Sequence, residues 1–273
     1  MIRCFFCVRR VSFGLTIALV LSVACDGAGE TASSNEPSTV IVSAAASLSD
    51  AIEEISDRFE AEREIRILLN LAGSQVLATQ IIEGAPVDLF ISADSRQLER
   101  VIDSGRVDVG LQVDLLSNQL VVVVPSDRSE SINDLEDLMH PLIRRISIGD
   151  PESVPVGVYA KRYLKSVGLW ESLFEKLVPA TNARAALRAV ESGEVTAGIV
   201  YRTDGLSSSD VIVKLDVPIE SASPIVYPAA VIADGSNASD AHRFLNYLCS
   251  QSAQVIFEAA GFIFLSHCSN QLR

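Results

Sequence analysis

The stretch VIVSAAASLSD, residues 40–50, joins a strand to a helix and leaves the joint almost free of bulky side chains. Its β-branched start predicts a buried strand, and Leu48, Ile52, Ile55 and Phe59 then recur at the spacing of one helix face. Alanines and serines fill the corner between the two elements. Because no bulk fills it, the main chain of such a corner can approach a small group closely.

Outward from this corner, short apolar runs alternate with segments of helical period. The predicted elements of the first half are strands at 40–42, 65–71, 87–92 and 120–124, with helices between them that end at Gly84 and Gly105. Those of the second half are a Ser131–Asp134 capping pair, strands at 145–149, 196–201, 211–215 and 225–232, and helices at 154–168, 182–193, 239–249 and 252–260. This alternation predicts an α/β fold with parallel-type sheets and helices on both faces.

The chain begins with the layout of a secretory signal. Arginines precede an apolar stretch from Val11 to Val23, and small residues lead to Cys25. We expect residues 1–24 to be a signal peptide and Cys25 to carry a lipid, with cleavage by the general signal peptidase as the alternative. Residues 25–37 are small and polar, and they predict a flexible tether.

Two of the five cysteines lie far from this segment. Cys249 and Cys268 stand near the C-terminus of a chain that we expect to be exported to an oxidising space. The sequence allows two alternatives for them, a disulfide or two free thiols. The C-x-x-C of Cys4 and Cys7 falls in the predicted signal peptide, so we expect no metal or redox role for it.

The chain is acidic, with a formal net charge of -13 at pH 7. A strongly negative surface argues against nucleic acid and against anionic lipid as partners. It does not exclude a small anion, because uncharged donors in a pocket act locally against the overall field.

Enzyme signatures are sparse. The three histidines, His140, His242 and His267, stand in no metal-ligand spacing, and the chain after the signal peptide has neither a G-x-S-x-G elbow nor a phosphate-binding glycine loop. Ser47 would need a neighbouring histidine to act as a nucleophile.

Two serines occupy equivalent corners. Ser47 lies where the first strand meets its helix, and Ser74 lies at the same point of the next strand-helix unit. Such corners converge at the carboxyl ends of strands in open α/β sheets, where helix amides favour an oxyanion. The alternative is that both serines are ordinary helix caps, with Ser47 and Asp50 forming a capping box.

Several longer motifs carry a family resemblance. In chain order they are AAASL, EGAPVDLFISAD, LVVVVP, GDPESVPVGVYAKRYL, GIVY and VYPAAVI, spread from about residue 40 to 264. Together they closely resemble the molybdate-binding proteins that deliver their oxyanion to ATP-driven importers.

The resemblance implies the fold of type II periplasmic binding proteins, in which two α/β lobes with a cleft between them are joined by two crossing segments. Lobe I would comprise residues 38–117 plus 229–273, and lobe II residues 118–228. The crossings would fall near Ser117 and Asn118 and near Tyr227 and Pro228.

The resemblance also implies a ligand site without a cofactor. Its contacts fall on the hydroxyls of Ser47, Ser74 and Tyr201 and on the main-chain amides of Val156 and Ala183. Asp150 would shape its loop and would not touch the anion, since a carboxylate repels it. The implied ligand is molybdate or tungstate, and the implied partner is the permease of an ABC importer.

We therefore expect a monomeric, non-enzymatic receptor outside the cytoplasm, at the periplasmic or outer face of the cell membrane. The alternatives are a receptor for another tetrahedral oxyanion such as sulfate, and a serine-dependent enzyme in the same cleft.

Overall fold

The computed structural model describes residues 37–128, 132–218, 224–266 and 268, with the backbone alone for 108–111. The predicted signal peptide, Cys25 and the tether up to residue 36 therefore lie outside the described residues, as does Ser131 of the predicted capping pair. Within the described part, no helix is long and apolar enough to span a bilayer.

The first lobe is built on a six-stranded sheet in the order β11-β4-β10-β3-β1-β2. Its strands are β1 (Ser38–Ala45), β2 (Ile65–Ala72), β3 (Leu89–Ile91), β4 (Val107–Asn118), β10 (Ile225–Ile232) and β11 (Ile263–Phe264). Its helices are α1 (Ser49–Glu62), α2 (Ser74–Ile82), α3 (Ser95–Asp103), α8 (Ala238–Leu248) and α9 (Gln251–Ala259).

The second lobe is built on a five-stranded sheet in the order β7-β6-β8-β5-β9. Its strands are β5 (Leu120–Pro125), β6 (Ile146–Gly149), β7 (Leu177–Ala180), β8 (Ala197–Tyr201) and β9 (Val211–Asp216). Its helices are α4 (Pro155–Ser166), α5 (Trp170–Leu173), α6 (Ala183–Glu191) and α7 (Arg202–Leu206), with 3₁₀ turns at Glu136–Met139 and Phe174–Lys176. The predicted α/β fold of two lobes is confirmed.

Both sheets are mixed, which corrects the prediction of parallel-type sheets. Strands β1, β2 and β3 run parallel, but β10 lies antiparallel to both β3 and β4. In the second lobe β6 is parallel to β7 and β8, whereas β5 is antiparallel to β8 and β9. The chain enters β5 and β10 from the other lobe, and these two strands run against the strands that follow a helix on the same sheet. The short β11 is also antiparallel to β4, although it follows α9 of the same lobe.

The two crossings are short. β4 ends at Asn118 and β5 begins at Leu120, so one residue separates the two sheets there. The chain leaves the second sheet at the end of β9, Asp216, and joins the first sheet at the start of β10, Ile225. Tyr227 and Pro228, which were predicted near this return, lie in β10, and that strand pairs with β4 from Ile225 onward.

Helix ends follow the glycines. The helices predicted to stop at Gly84, Gly105, Gly168 and Gly193 do so, and each of these residues has a positive φ. Glycine adopts this left-handed conformation without the steric cost that a Cβ would add.

The C-terminal region is fastened covalently. Cys249, at the end of α8, and Cys268 form a disulfide with a Cα–Cα distance of 5.6 Å. Both residues are buried in the core. Closing a loop of 19 residues in this way stabilises a folded domain by about 3 kcal/mol.

Candidate functional site

The corner between β1 and α1 is built differently from the expected capping box. A 3₁₀ turn, Ala46–Leu48, intervenes, so the residue that caps α1 is Leu48 and no side chain bonds to the first turn. The Ser47 side chain therefore does not cap the helix, and the capping box with Asp50 does not form. Its hydroxyl is buried, with 3 % of the residue exposed, and lies 2.9 Å from the hydroxyl of Tyr227.

At the corner between β2 and α2, the serine hydroxyl likewise does not cap a helix. Ser74 is the first residue of α2, behind Gly73 as the cap, and makes no capping hydrogen bond. Its oxygen accepts a bond of 3.0 Å from the main-chain N–H of Ala93. Since the oxygen already serves as an acceptor, the hydroxyl hydrogen is available to a ligand.

The second lobe contributes two more helix starts. Val156 is the second residue of α4, after Pro155, and Ala183 is the first residue of α6, which Asn182 caps through a 2.8 Å bond to the N–H of Ala185. Amides in the first turn of a helix have no acceptor within that helix, and the helix dipole makes this end positive. Both positions therefore offer main-chain donors.

Tyr201 ends β8 and is almost fully buried, at 1 % exposure. Its hydroxyl has no hydrogen-bond partner among the described residues. Burial, helped by the nearby Tyr227, Tyr159 and two carboxyl groups, raises the pKa of Tyr201 well above its usual value. The phenol therefore keeps its proton, and an unpaired buried donor is costly unless something accepts from it.

These corners meet in one cavity between the lobes. It is lined by Ala45, Ala46, Ser47, Gly73, Ser74, Ala93, Val154, Pro155, Val156, Asn182, Ala183 and Tyr201. All five residues that the sequence predicted as ligand contacts are among them. The volume open to the centre of a water-sized sphere is about 20 Å³, which is room for one small ion and not for an organic metabolite.

The lining is electrically neutral. Among the described residues that form it there is no lysine, arginine, histidine, aspartate or glutamate. It is formed instead by the N-terminal ends of α2, α4 and α6, together with three buried hydroxyls. Hydrogen-bond donors directed into a small cavity suit an oxyanion, which accepts on every oxygen.

No histidine lines the cavity next to Ser47 in the described part of the chain, and no group of three or more His, Cys, Asp or Glu side chains there could hold a metal ion. Asp150 accepts from the N–H of Glu152 at 2.8 Å, and its carbonyl accepts from the N–H of Val154. It shapes its loop, as predicted.

Some site residues escaped prediction. Ala93, in ISAD, follows a buried strand, and its main-chain N–H donates to the Ser74 hydroxyl. Its position directly after a strand could have indicated that it belongs to the site. Asn118 and Tyr227 form a polar chain behind Ser47, and nothing in their sequence context indicates that contact.

Two α/β lobes around a small cavity lined by donors define a ligand-binding protein of the two-lobe class. Residues 40–263 match the family of bacterial extracellular solute-binding proteins. The chain belongs to this family.

Named relatives agree with this membership. The chain is 39% identical to the molybdate-binding protein ModA of Escherichia coli, over 82% of this chain and 88% of that protein. It is 35% identical to YvgL of Bacillus subtilis, provisionally described as an ABC transporter substrate-binding lipoprotein, over 90% of this chain and 94% of the relative. A solved substrate-binding domain of a provisionally assigned molybdenum ABC transporter from Clostridium difficile superposes with a TM-score of 0.67 at 33% identity, covering 83% of this chain and 99% of that one.

Proposed function

We propose that this protein captures molybdate, and tungstate with it, outside the cytoplasm and delivers the oxyanion to the permease of an ABC importer. The observation that carries the proposal is the neutral cavity, where three helix N-termini and three buried hydroxyls converge around the space of one small ion. The names of the relatives at 39% and 35% identity support the ligand and the transport role.

In this proposal the hydroxyls of Ser47, Ser74 and Tyr201 and the amides of Val156 and Ala183 donate to the anion. Main-chain amides beside the two serines, such as that of Ser47 itself, add to these five donors. A hydrogen bond to a charged group contributes about 1.5–3 kcal/mol, so about seven of them leave a micromolar to nanomolar site after ordering costs are offset. No cationic side chain and no cofactor is required.

Selectivity follows from two properties of such a site. A pocket that holds donors alone disfavours hydrogen phosphate, because the phosphate O–H would face a donor and find no acceptor. Sulfate is smaller than molybdate or tungstate, and donors placed for the longer metal–oxygen bonds reach it poorly. We further propose that the protein acts as a monomer anchored through a lipid on Cys25, which the lipoprotein description of one relative supports.

The test is a thermal-shift and calorimetric titration of the purified protein with molybdate, tungstate, sulfate and phosphate at equal concentrations. A ligand present at about a thousand times its dissociation constant should add roughly 4 kcal/mol of stability. We expect molybdate and tungstate alone to raise the melting temperature.

Two variants localise the effect. Ser74→Ala should weaken molybdate binding by about one to two orders of magnitude, since it removes a hydrogen bond to a charged ligand. Ser192→Ala, at an exposed helix end in the second lobe, is the matched control and should bind as the wild type does. An equal shift with sulfate would favour the general oxyanion receptor, and no shift with any of the four anions would sink the proposal and reopen the enzyme alternative.

A further inference from the structure

A polar chain leads from the crossing between the lobes to the cavity, and it starts at Asn118. This residue ends β4 and is 1 % exposed. Its Oδ1 accepts from the main-chain N–H of Gln119 at 2.8 Å. Because that N–H can only donate, the side-chain atom beside it is the oxygen, and the orientation of the amide is fixed.

With the oxygen assigned, the Asn118 nitrogen must donate both of its hydrogens. One goes to Thr203 Oγ1 at 3.1 Å, on α7 of the second lobe. The other goes to Tyr227 Oη at 3.2 Å, on β10 of the first lobe. Tyr227 therefore accepts from Asn118 and has its own hydrogen left to donate.

Tyr227 is fully buried and retains that hydrogen. Burial raises the pKa of its phenol far above the usual value. Within the part of the chain that the structure describes, its one further hydrogen-bond partner is Ser47 Oγ, at 2.9 Å. An O–H shared between these two oxygens can belong to either, but the Asn118 nitrogen can only donate, so Ser47 is the one of the two partners that can accept the buried Tyr227 hydrogen, and Tyr227 donates.

Ser47 then accepts from Tyr227, and its own hydrogen is directed away from Tyr227. Ser47 lines the cavity between the lobes. The direction of donation therefore runs from Asn118 to Tyr227, from Tyr227 to Ser47, and from Ser47 into the cavity.

We propose that Asn118 and Tyr227 are positioning residues that fix the Ser47 hydroxyl as a donor, so that this corner accepts an oxyanion without protons and rejects one that presents an O–H. This inference rests on the proposed oxyanion site and deepens it. A serine hydroxyl free to rotate would accept from a protonated ligand as readily as it would donate to an unprotonated one. The polar chain removes that freedom.

The test compares Tyr227→Phe with wild type in titrations with molybdate and with phosphate at pH 7.5. Phenylalanine keeps the ring and deletes the hydroxyl that orients Ser47. We expect molybdate affinity to fall by about tenfold, the equivalent of one weakened bond to a charged ligand, and the preference for molybdate over phosphate to fall with it. Tyr163→Phe, the same change on α4 away from the cavity lining, should leave both affinities unchanged.

A double-mutant cycle separates positioning from mere packing. If Tyr227 acts through Ser47, Tyr227→Phe should cost nothing further in a Ser47→Ala background. The inference would be overturned if Tyr227→Phe lost the same molybdate affinity in both backgrounds, or if it kept the wild-type affinity and the wild-type preference for molybdate. In either case, molybdate binding by the wild type would still uphold the proposed function. A wild-type protein that binds no molybdate would overturn both.

A measurement on the wild type covers the case in which Tyr227→Phe fails to fold. The hydroxyl proton of Tyr227 can be followed by NMR in protein labelled at tyrosine. Because linked hydrogen bonds strengthen one another, molybdate should move this resonance downfield and leave that of Tyr163 in place. An unmoved Tyr227 resonance at saturating molybdate would contradict the inference.

Discussion

Asp204 is a fully buried carboxyl group of the second lobe. It lies on α7 with no exposed surface, and Arg184 Nε stands 3.2 Å from its carboxyl oxygen without the alignment of a hydrogen bond. Burial raises the pKa of this carboxyl from 3.8 to about 7, although Arg184 lowers it, and the acidic Asp50 and Glu191 add to the rise. At neutral pH the folded protein therefore holds a partly protonated carboxyl behind its ligand cavity.

This raised pKa predicts a pH-dependent stability. The folded state binds the Asp204 proton more tightly than the unfolded state, so the contribution of this residue is full below about pH 4 and is lost as pH rises through about 7. Asp204→Asn cannot ionise and should escape the loss. In urea unfolding at pH 5 and at pH 8, we expect the stability of Asp204→Asn relative to wild type to increase at the higher pH.

The control for this prediction is Asp216→Asn. Asp216 also pairs with an arginine in the second lobe, Arg202, but its side chain is 54% exposed. The stability of the Asp216→Asn protein relative to wild type should be the same at both pH values. Parallel stability curves for Asp204→Asn and wild type between pH 5 and pH 8 would show that the buried carboxyl does not titrate in this range.

At the scale of elements, one glycine contact places the start of α4. A Cβ built on Gly157 would stand 2.0 Å from the carbonyl oxygen of Gly149, at the end of β6. Glycine at this point lets the helix approach the strand closely, and the approach brings the amide of the preceding Val156 to the cavity wall. The residue is needed for its lack of a side chain and not for an unusual φ.

Gly157→Ala tests that contact. By helix propensity alone, alanine would stabilise α4 by about 1 kcal/mol. We expect the opposite, a loss of about 1–3 kcal/mol as the helix is pushed off β6, together with weaker molybdate binding as Val156 moves. Thermal melting and calorimetry measure the two effects.

The matched control is Gly73→Ala, at the start of α2. The atoms nearest to a Cβ built there belong to the end of the Gln75 side chain, which can move aside at the expense of its exposed bond to the Thr181 carbonyl. Its melting temperature should stay near that of wild type. A Gly157→Ala protein that melts at or above the wild-type temperature would contradict the role given to the close approach.

Much of this architecture was predictable because its elements carry strong periodic signals. The β5 run of valines and the helices closed by Gly168 and Gly193 were predicted from local residues alone. β4 was missed, since Gly110 and two aspartates interrupt its apolar alternation. The direction of β10 also could not be predicted from the local sequence, because antiparallel pairing is set by contacts with residues far away in the chain.

The site divides in the same way. The corners at Ser47 and Ser74 follow from strand-helix spacing, whereas Val156 and Ala183 entered only through the resemblance, as main-chain donors have no side-chain signal. Tyr227 was placed in the return crossing on the same grounds. Its bond to Ser47 joins residues 180 positions apart, which no local pattern encodes.

At the scale of the whole molecule, two of the polar contacts that join the lobes in the described part of the chain link α1 and α2 of the first lobe to α6 and the residues just before it. Arg184 on α6 pairs with Asp50 on α1 at 2.5 Å. Gln75 on α2 donates to the carbonyl of Thr181 at 2.9 Å. Both link an element of one lobe to an element of the other, so they stabilise the arrangement in which donors from both lobes face one ligand.

Asp50→Asn measures what the ion pair contributes to that arrangement. The Asp50 side chain is 60% exposed, and pairs this exposed are worth about 0–1 kcal/mol. Loss of the ion pair lowers the fraction of molecules in which the two lobes are together, and the apparent affinity for molybdate falls by the same factor. We expect molybdate to bind about two- to fivefold more weakly at low salt and the difference to vanish at about 1 M salt, where the charges are screened.

Glu54→Gln is the matched control, because the Glu54 side chain is about as exposed as that of Asp50, at 53%, and pairs with Arg58 inside α1 without joining the lobes. It should bind molybdate as the wild type does at every salt concentration. Arg184 still faces Asp204 in the Asp50→Asn protein, so no charge is newly buried and the fold should melt as before. A loss of affinity that is equal in the two variants, or one that persists at high salt, would mean that the pair acts through α1 alone and not by holding the lobes together.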